Sequence, residues 1–227
     1  MYVPATSAQP AAPATPMPLA AAVIAGTTGG SAPGLVGFAG LGAPPAAHVS
    51  LTVRRPDLNV LANHTSTIAG ALHPGLAGRV VSLQALGARG WSTLASTRTG
   101  RAGRFRVRYA PHAAGSERVR LRFAGDATDR AARRALGRLN VYRLAQASWY
   151  GGGGGLACGG QLTSATMGVA NKTLPCGALL TLRYGERTVR VRVIDRGPYV
   201  AGREFDLTEA TKRALGFGDT GQVWSTR

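Results

Sequence analysis

Two stretches alternate apolar and basic residues: Arg104–Ala110 reads RFRVRYA and Arg118–Gly125 reads RVRLRFAG. A period of two puts Phe105, Val107 and Tyr109 on one face of an extended chain, and Arg104, Arg106 and Arg108 on the other. A helix would scatter those apolar side chains around its circumference, so the pattern demands half-buried strands. STIAGAL (Ser66–Leu72) and RVVSLQAL (Arg79–Leu86) read as two more strands, and turn residues fall between them at HPG from His73 and TGRAG from Thr99. Short strands with regular turns predict a small β-sandwich over residues 49–125. The length of 227 residues leaves room for a second domain of similar size.

The charge is +17 with a pI near 11.5, and Lys172 and Lys212 are the only lysines among 27 basic residues. Its distribution is uneven: 17 basic residues face 4 acidic ones up to Arg143, against 10 and 6 from Leu144 onward. Such a surface suits polyanions, whether nucleic acid, anionic lipid or an acidic wall polymer; the plain alternative is an Arg-rich solvated face. No helical arginine stripe with interleaved aromatics is present, which argues against specific nucleic-acid binding.

Residues 1–48 contain no Lys, Arg, Asp or Glu and are rich in Ala, Pro and Gly. The expectation is a disordered segment, or a remnant signal or tether. PLAAAVIAG (Pro18–Gly26) resembles the apolar part of a secretory signal but lacks a preceding basic flank. Gly and Pro interrupt the stretch too often for a stable membrane span. Residues 126–144, beginning DATDRAARRALGRLNVYR, read as a basic connector that can be helical.

The last 84 residues hold no His and two cysteines, Cys158 and Cys176, 18 positions apart. Two thiols do not close a metal shell, and no metal or other cofactor is expected. A disulfide is the reading for an exported chain, two free thiols the reading for a cytosolic one. Five glycines at Gly151–Gly155 lack the following Lys and Ser/Thr of a nucleotide loop. GALLTLRYGERTVRVRVIDRG predicts a hairpin, with strands Leu179–Tyr184 and Thr188–Ile194 about a Gly185-Glu186 turn. LTEATKRALGF (Leu207–Phe217) predicts a short helix capped by Thr208 and stopped by Gly216.

The order of ASWYG (Ala147–Gly151), ACG (Ala157–Gly159), MGVANKTLPCG (Met167–Gly177), VIDRGPYV (Val193–Val200) and GREFDL (Gly202–Leu207) resembles the rare lipoprotein A family. More distantly it resembles the barrels of expansins and barwins. The resemblance covers residues 145–227 and implies a six-stranded double-psi β-barrel with a short helix. The upstream β region resembles the Ig-like modules of bacterial surface and wall proteins. The chain as a whole is thus expected to be mainly β.

The resemblance implies an exported lytic transglycosylase, secreted or wall-associated, that cuts peptidoglycan glycan strands to anhydromuramyl ends. Asp195, in the DRGP motif, takes the position of the catalytic acid. Asp206, Tyr150 and Tyr199 take positions that line the polysaccharide groove, and Asn171 and Arg196 are further candidates for contact with substrate. The resemblance to expansin and barwin barrels also supports a Cys158–Cys176 bridge. One carboxyl suffices for such chemistry, because a hydroxyl of the sugar itself attacks and the same group acts first as acid, then as base. Two departures stand out. Gly160 occupies a position where catalytic members often carry Glu, and Asn171 one where they often carry His.

Each candidate also has a plainer reading. Asp195 is a residue type that accepts backbone N–H bonds in turns; Asp206 suits the dipole of the helix that follows; the two tyrosines suit a barrel rim. The alternative function is a non-catalytic, expansin-like wall-binding protein. A third is a polyanion-binding adhesion protein led by the basic half, whose binding salt would abolish.

Overall fold

A computed structural model describes residues 48–227. The expectation for residues 1–48 falls outside the described residues, apart from His48.

Seven strands come first: β1 (Ser50–Arg54), β2 (Asn59–Leu61), β3 (Ser66–His73), β4 (Val80–Gly87), β5 (Gly90–Arg98), β6 (Arg104–Tyr109) and β7 (Gly115–Phe123). One sheet is β1-β3-β6, antiparallel throughout. The other runs β5-β4-β7 and continues into β8 (Ala132–Tyr150), which β2 joins in parallel. The alternating stretches behave as the period requires. Phe105, Val107, Val119, Leu121 and Phe123 lie within the core with Ile68, Leu72, Val81 and Leu83, while their arginine neighbours point outward. Each such apolar side chain contributes about 1.5–3 kcal/mol by burial. Gly70 is required under Phe105, since a Cβ there would lie 2.7 Å from the ring and 2.1 Å from the Thr52 carbonyl.

The segment expected as a connector, and open to being helical, is instead strand. β8 runs for 19 residues. Its first part pairs with β7, from Phe123↔Ala132 to Gly115↔Val141, and with β2, from Asn59↔Asn140 to Leu61↔Tyr142. Ala and Arg favour helix, but their preference is worth tenths of a kcal/mol per residue. Two flanking ladders override it, and Gly137, at φ 98°, sits where the β7 register shifts.

The rest of the chain forms β9 (Gly154–Gly155), β10 (Gln161–Leu162), β11 (Val169–Ala170), β12 (Leu179–Tyr184), β13 (Arg187–Asp195), β14 (Phe205–Thr208), α1 (Glu209–Leu215) and β15 (Thr220–Ser225). Six strands close a ring in the order β8-β14-β11-β13-β12-β15 and back to β8. The β8/β14 and β11/β13 pairs are parallel. Closure leaves no sheet edge within the ring. Val169, Leu180, Leu182, Val191, Val193, Phe205, Leu207 and Val223 fill it. The expected hairpin is present as β12 and β13. So is the helix: Thr208 accepts from the Thr211 N–H, and Gly216 ends it in the left-handed region at φ 64°.

β8 therefore serves both bodies. Where it passes from one to the other, Tyr142 is fully buried, donates to Asn59 Oδ1 at 2.8 Å and packs on Trp224 at 5.7 Å between centroids. Trp224 thus packs at this seam and under Arg183, outside the apolar cluster that fills the barrel.

Candidate active site

Register brings the two candidate carboxylates to one place. Ala170 of β11 pairs with Asp195 on β13 and with Asp206 on β14. The β11/β13 register shifts at Ala170, so pairing alone does not fix a common face; that both carboxylates converge is shown by Tyr150, whose phenol feels the charges of Asp195 and Asp206. On the far side of β14, Asp206 pairs with Ser148 and Thr208 pairs with Tyr150 of β8. Three strands thus deliver Asp195, Asp206 and Tyr150 to one surface.

Asp195 is half-buried and anchored by one oxygen. Its Oδ1 accepts the N–H of Arg196 at 2.8 Å and that of Ala157 at 2.9 Å. Among the described residues Oδ2 has no hydrogen-bond donor. The turn reading of Asp195 is therefore correct for one oxygen, while the other remains available. The Ser148 hydroxyl donates to Asp206 Oδ1, and Thr208 caps the helix, as expected.

Tyr150 carries a buried hydroxyl with no hydrogen bond of normal geometry. Burial above all, then the charge of Asp195 and its capacity to accept the phenol proton, then the charge of Asp206, push the Tyr150 pKa far above the usual tyrosine range. The phenol is neutral at any physiological pH.

Arg196 and Asn171 are committed to the scaffold. The Arg196 guanidinium donates to the Asn171 and Leu174 carbonyls, each at 3.0 Å, and to Cys176 Sγ at 3.1 Å. It forms no ion pair with Asp195 among the described residues. Asn171 is 4% exposed. Its Oδ1 accepts from the Thr173 and Leu174 N–H groups, and its Nδ2 donates to the Glu204 carbonyl. Both side chains hold the 171–176 loop, Asn171 from a buried position and Arg196 from a half-buried one. Tyr199 follows the Gly-Pro turn and is 82% exposed, away from the buried cluster.

Cys158 and Cys176 form a disulfide. It ties the 156–160 segment, which bonds Asp195 and Ile194 through the N–H groups of Ala157 and Cys158, to the loop that Arg196 holds. Gly160 is exposed with nothing within 4 Å of a built Cβ, but its φ is 88°. Space exists there for the Glu that the family resemblance leads one to expect; the backbone conformation disfavours one.

Ser148 and Ala157 escaped the sequence reading. The period of ASWYG does place Ser148 and Tyr150 on one face, and that signal could have found Ser148. Ala157 acts through its backbone and leaves no trace in residue type.

Residues 144–224 match the lytic transglycolase family model. The same region is similar to two proteins named probable endolytic peptidoglycan transglycosylase RlpA. The one from Aquifex aeolicus is 41% identical over 80 residues, and the one from Synechocystis is 38% identical over 81. Each alignment covers 33% of this chain, but only 35% and 25% of the respective relative. Among solved structures, the Streptomyces papain inhibitor superposes with a TM-score of 0.32 at 24% identity, over 38% of this chain and 94% of its own. A superposition that low leaves the fold assignment to the family model and the strand pairing. Together these make the C-terminal region an RlpA-like double-psi β-barrel, preceded by a β-sandwich in a mainly β chain.

Proposed function

We propose that this RlpA-like barrel is a lytic transglycosylase acting on peptidoglycan outside the cytoplasm, with Asp195 as its acid and base. The observation that carries the reading is the division of labour between the oxygens of Asp195: Oδ1 is fixed by two N–H groups and Oδ2 is open beside the neutral Tyr150. The similarity to proteins named as peptidoglycan transglycosylases supports the substrate class. The disulfide supports an extracytoplasmic site. Among the described residues no helix is long and apolar enough to cross a membrane.

The steps balance without water. Protonated Asp195 gives its proton to the glycosidic oxygen as the bond from C1 of N-acetylmuramic acid to that oxygen breaks, freeing the N-acetylglucosamine hydroxyl. Positive charge develops at C1. The Asp195 carboxylate then takes the proton of the C6 hydroxyl of the same muramic residue, whose oxygen closes on C1 as the 1,6-anhydro ring. Asp195 ends protonated, ready for the next cycle. Tyr150, protonated throughout, stabilises the intervening carboxylate by donating to it. Asp206, held by Ser148, adds negative charge that favours the developing cation. Asp206, Tyr150 and the exposed Tyr199 are the groups assigned to the sugar surface.

Purified peptidoglycan incubated with the full chain should yield anhydromuramyl ends by mass spectrometry. Asp195→Asn should reduce them at least ~100-fold, the lower range for loss of a general acid, while the variant still pellets with the wall. Undiminished cleavage by Asp195→Asn would remove that residue from the mechanism.

The second reading is a wall-binding module that does not cut. It is favoured by the same two departures: Gly160, in a conformation unsuited to Glu, and Asn171, whose amide is spent on the loop. Co-sedimentation of wild type and Asp195→Asn without products from either would establish it.

A further inference from the structure

The outer face of the β1-β3-β6 sheet forms a trough of about 790 Å³. Its floor follows from the register. Thr52, Ala71 and Arg104 form one outward cross-strand row, and Arg54, Ala69 and Arg106 the next. The central strand contributes only small side chains there, while Arg54 stands on one bank and Arg104 and Arg106 on the other. The banks are about 10 Å apart, two strand spacings. Arg98 extends the second bank, and no carboxylate is among the lining residues.

These arginines lack partners of their own. Among the described residues none of Arg54, Arg98, Arg104 and Arg106 forms an ion pair, and Arg98 alone donates to a carbonyl, that of Gly78 at 3.0 Å. The other sheet's outer face differs. There Arg120 stacks on Trp91 at 3.9 Å and donates to Gln84 at 3.0 Å, and Arg138 donates to the Ser116 carbonyl. Arg118 and Arg122 on that face also lack partners among the described residues; what sets the trough apart is that its arginines stand on two banks about a floor of small side chains.

We infer that the trough binds an extended phosphodiester polymer of the cell envelope, one phosphate to each bank arginine. Arg104, Arg106 and Arg108 repeat every ~7 Å along β6, comparable to the spacing of successive phosphates in an extended chain. Guanidinium groups pair with phosphate in bidentate fashion. Neither Tyr nor Trp lines the trough and Phe105 is 5% exposed, which leaves a single ring, that of His73, in place of the succession of aromatics on which bases stack. That separates a polyol phosphate from single-stranded nucleic acid. The concave shape suits a chain and not the plane of a bilayer. The choice of an envelope polymer, though not the trough itself, rests on the function proposed above.

The test titrates the full chain with a glycerol-phosphate polymer across salt concentrations. Arg104→Gln/Arg106→Gln is compared with Arg118→Gln/Arg122→Gln, which loses the same charge from the opposite sheet. The first pair should weaken binding at least tenfold and reduce the log–log salt slope by about 1.4, at ~0.7 per phosphate contact. The second should change affinity less than threefold. Single-stranded DNA of equal phosphate count and anionic phospholipid vesicles should bind at least tenfold more weakly. Absence of polymer binding, equal loss in both double variants, or tighter binding to DNA or vesicles would overturn the assignment. Asp195→Asn should bind the polymer like wild type, so failure of the cleavage reading and failure of the trough give different results.

Discussion

Of the two oxygens of Asp195, one is held by two backbone N–H groups and the other has no donor among the described residues, and beside them burial disfavours loss of the Tyr150 proton. This has a direct titration consequence. Tyr150 should stay protonated through the ordinary tyrosine range near 10. Because its folded pKa lies above the unfolded one, its contribution to stability is complete below about 10 and is lost as pH rises through the folded value. Replacing Asp195 by Asn removes the larger of the two charge effects on the phenol and should bring its ionisation to lower pH, though burial keeps it elevated. Ultraviolet difference titration of wild type against Asp195→Asn measures this; coincident curves would mean the two groups do not interact. At Gly160, introducing Glu should cost about 1 kcal/mol because φ is 88°, and Gly160→Ala should cost nearly as much. Denaturant unfolding of the two variants separates backbone strain from any effect of the charge.

The elements around the site explain what a linear reading captured. The β12–β13 hairpin and α1 were legible because their signals are local: alternation, a two-residue turn, Thr208 before the helix and Gly216 after it. The positions of Asp195 and Asp206 were legible only through resemblance, and their meeting across Ala170 depends on pairings among β11, β13 and β14 that no local pattern encodes. The orientations of Asn171 and Arg196 were not legible, since each is decided by the carbonyls and N–H groups of a folded loop. That loop's cross-link makes its own prediction. Opening Cys158–Cys176 with a double Ser variant should cost about 3 kcal/mol for a bridge spanning 18 positions, and should lower turnover as well, because the 156–160 segment supplies a donor to Asp195. Loss of stability with turnover intact would show that the Ala157 bond does not position the carboxylate.

For the whole molecule, β8 was the largest surprise: besides its neighbour β7 it pairs with strands far off in sequence, β2 about 80 residues before it, and β14 and β15 some 60 to 80 after. A strand that belongs to two ladders couples their unfolding. Calorimetry of the full chain should show one transition, and Tyr142→Ala should lower it as a unit. Truncating that fully buried ring costs about 3–5 kcal/mol, as for large aromatic side chains elsewhere. Two resolved transitions, with only one displaced, would mean that sandwich and barrel melt independently.

Continuity of β8 also fixes a distance. A flexible tether between the two bodies would let the barrel sample a broad sphere around any attachment point. A single strand about 60 Å long at ~3.3 Å per residue, hydrogen-bonded into a sheet at one end and a closed ring at the other, has no swivel. If the sandwich is held on a polymer, the barrel reaches a narrow arc of wall at a set offset from that hold. A barrel that cut glycan would then work as a calliper, its scission point measured from its anchorage.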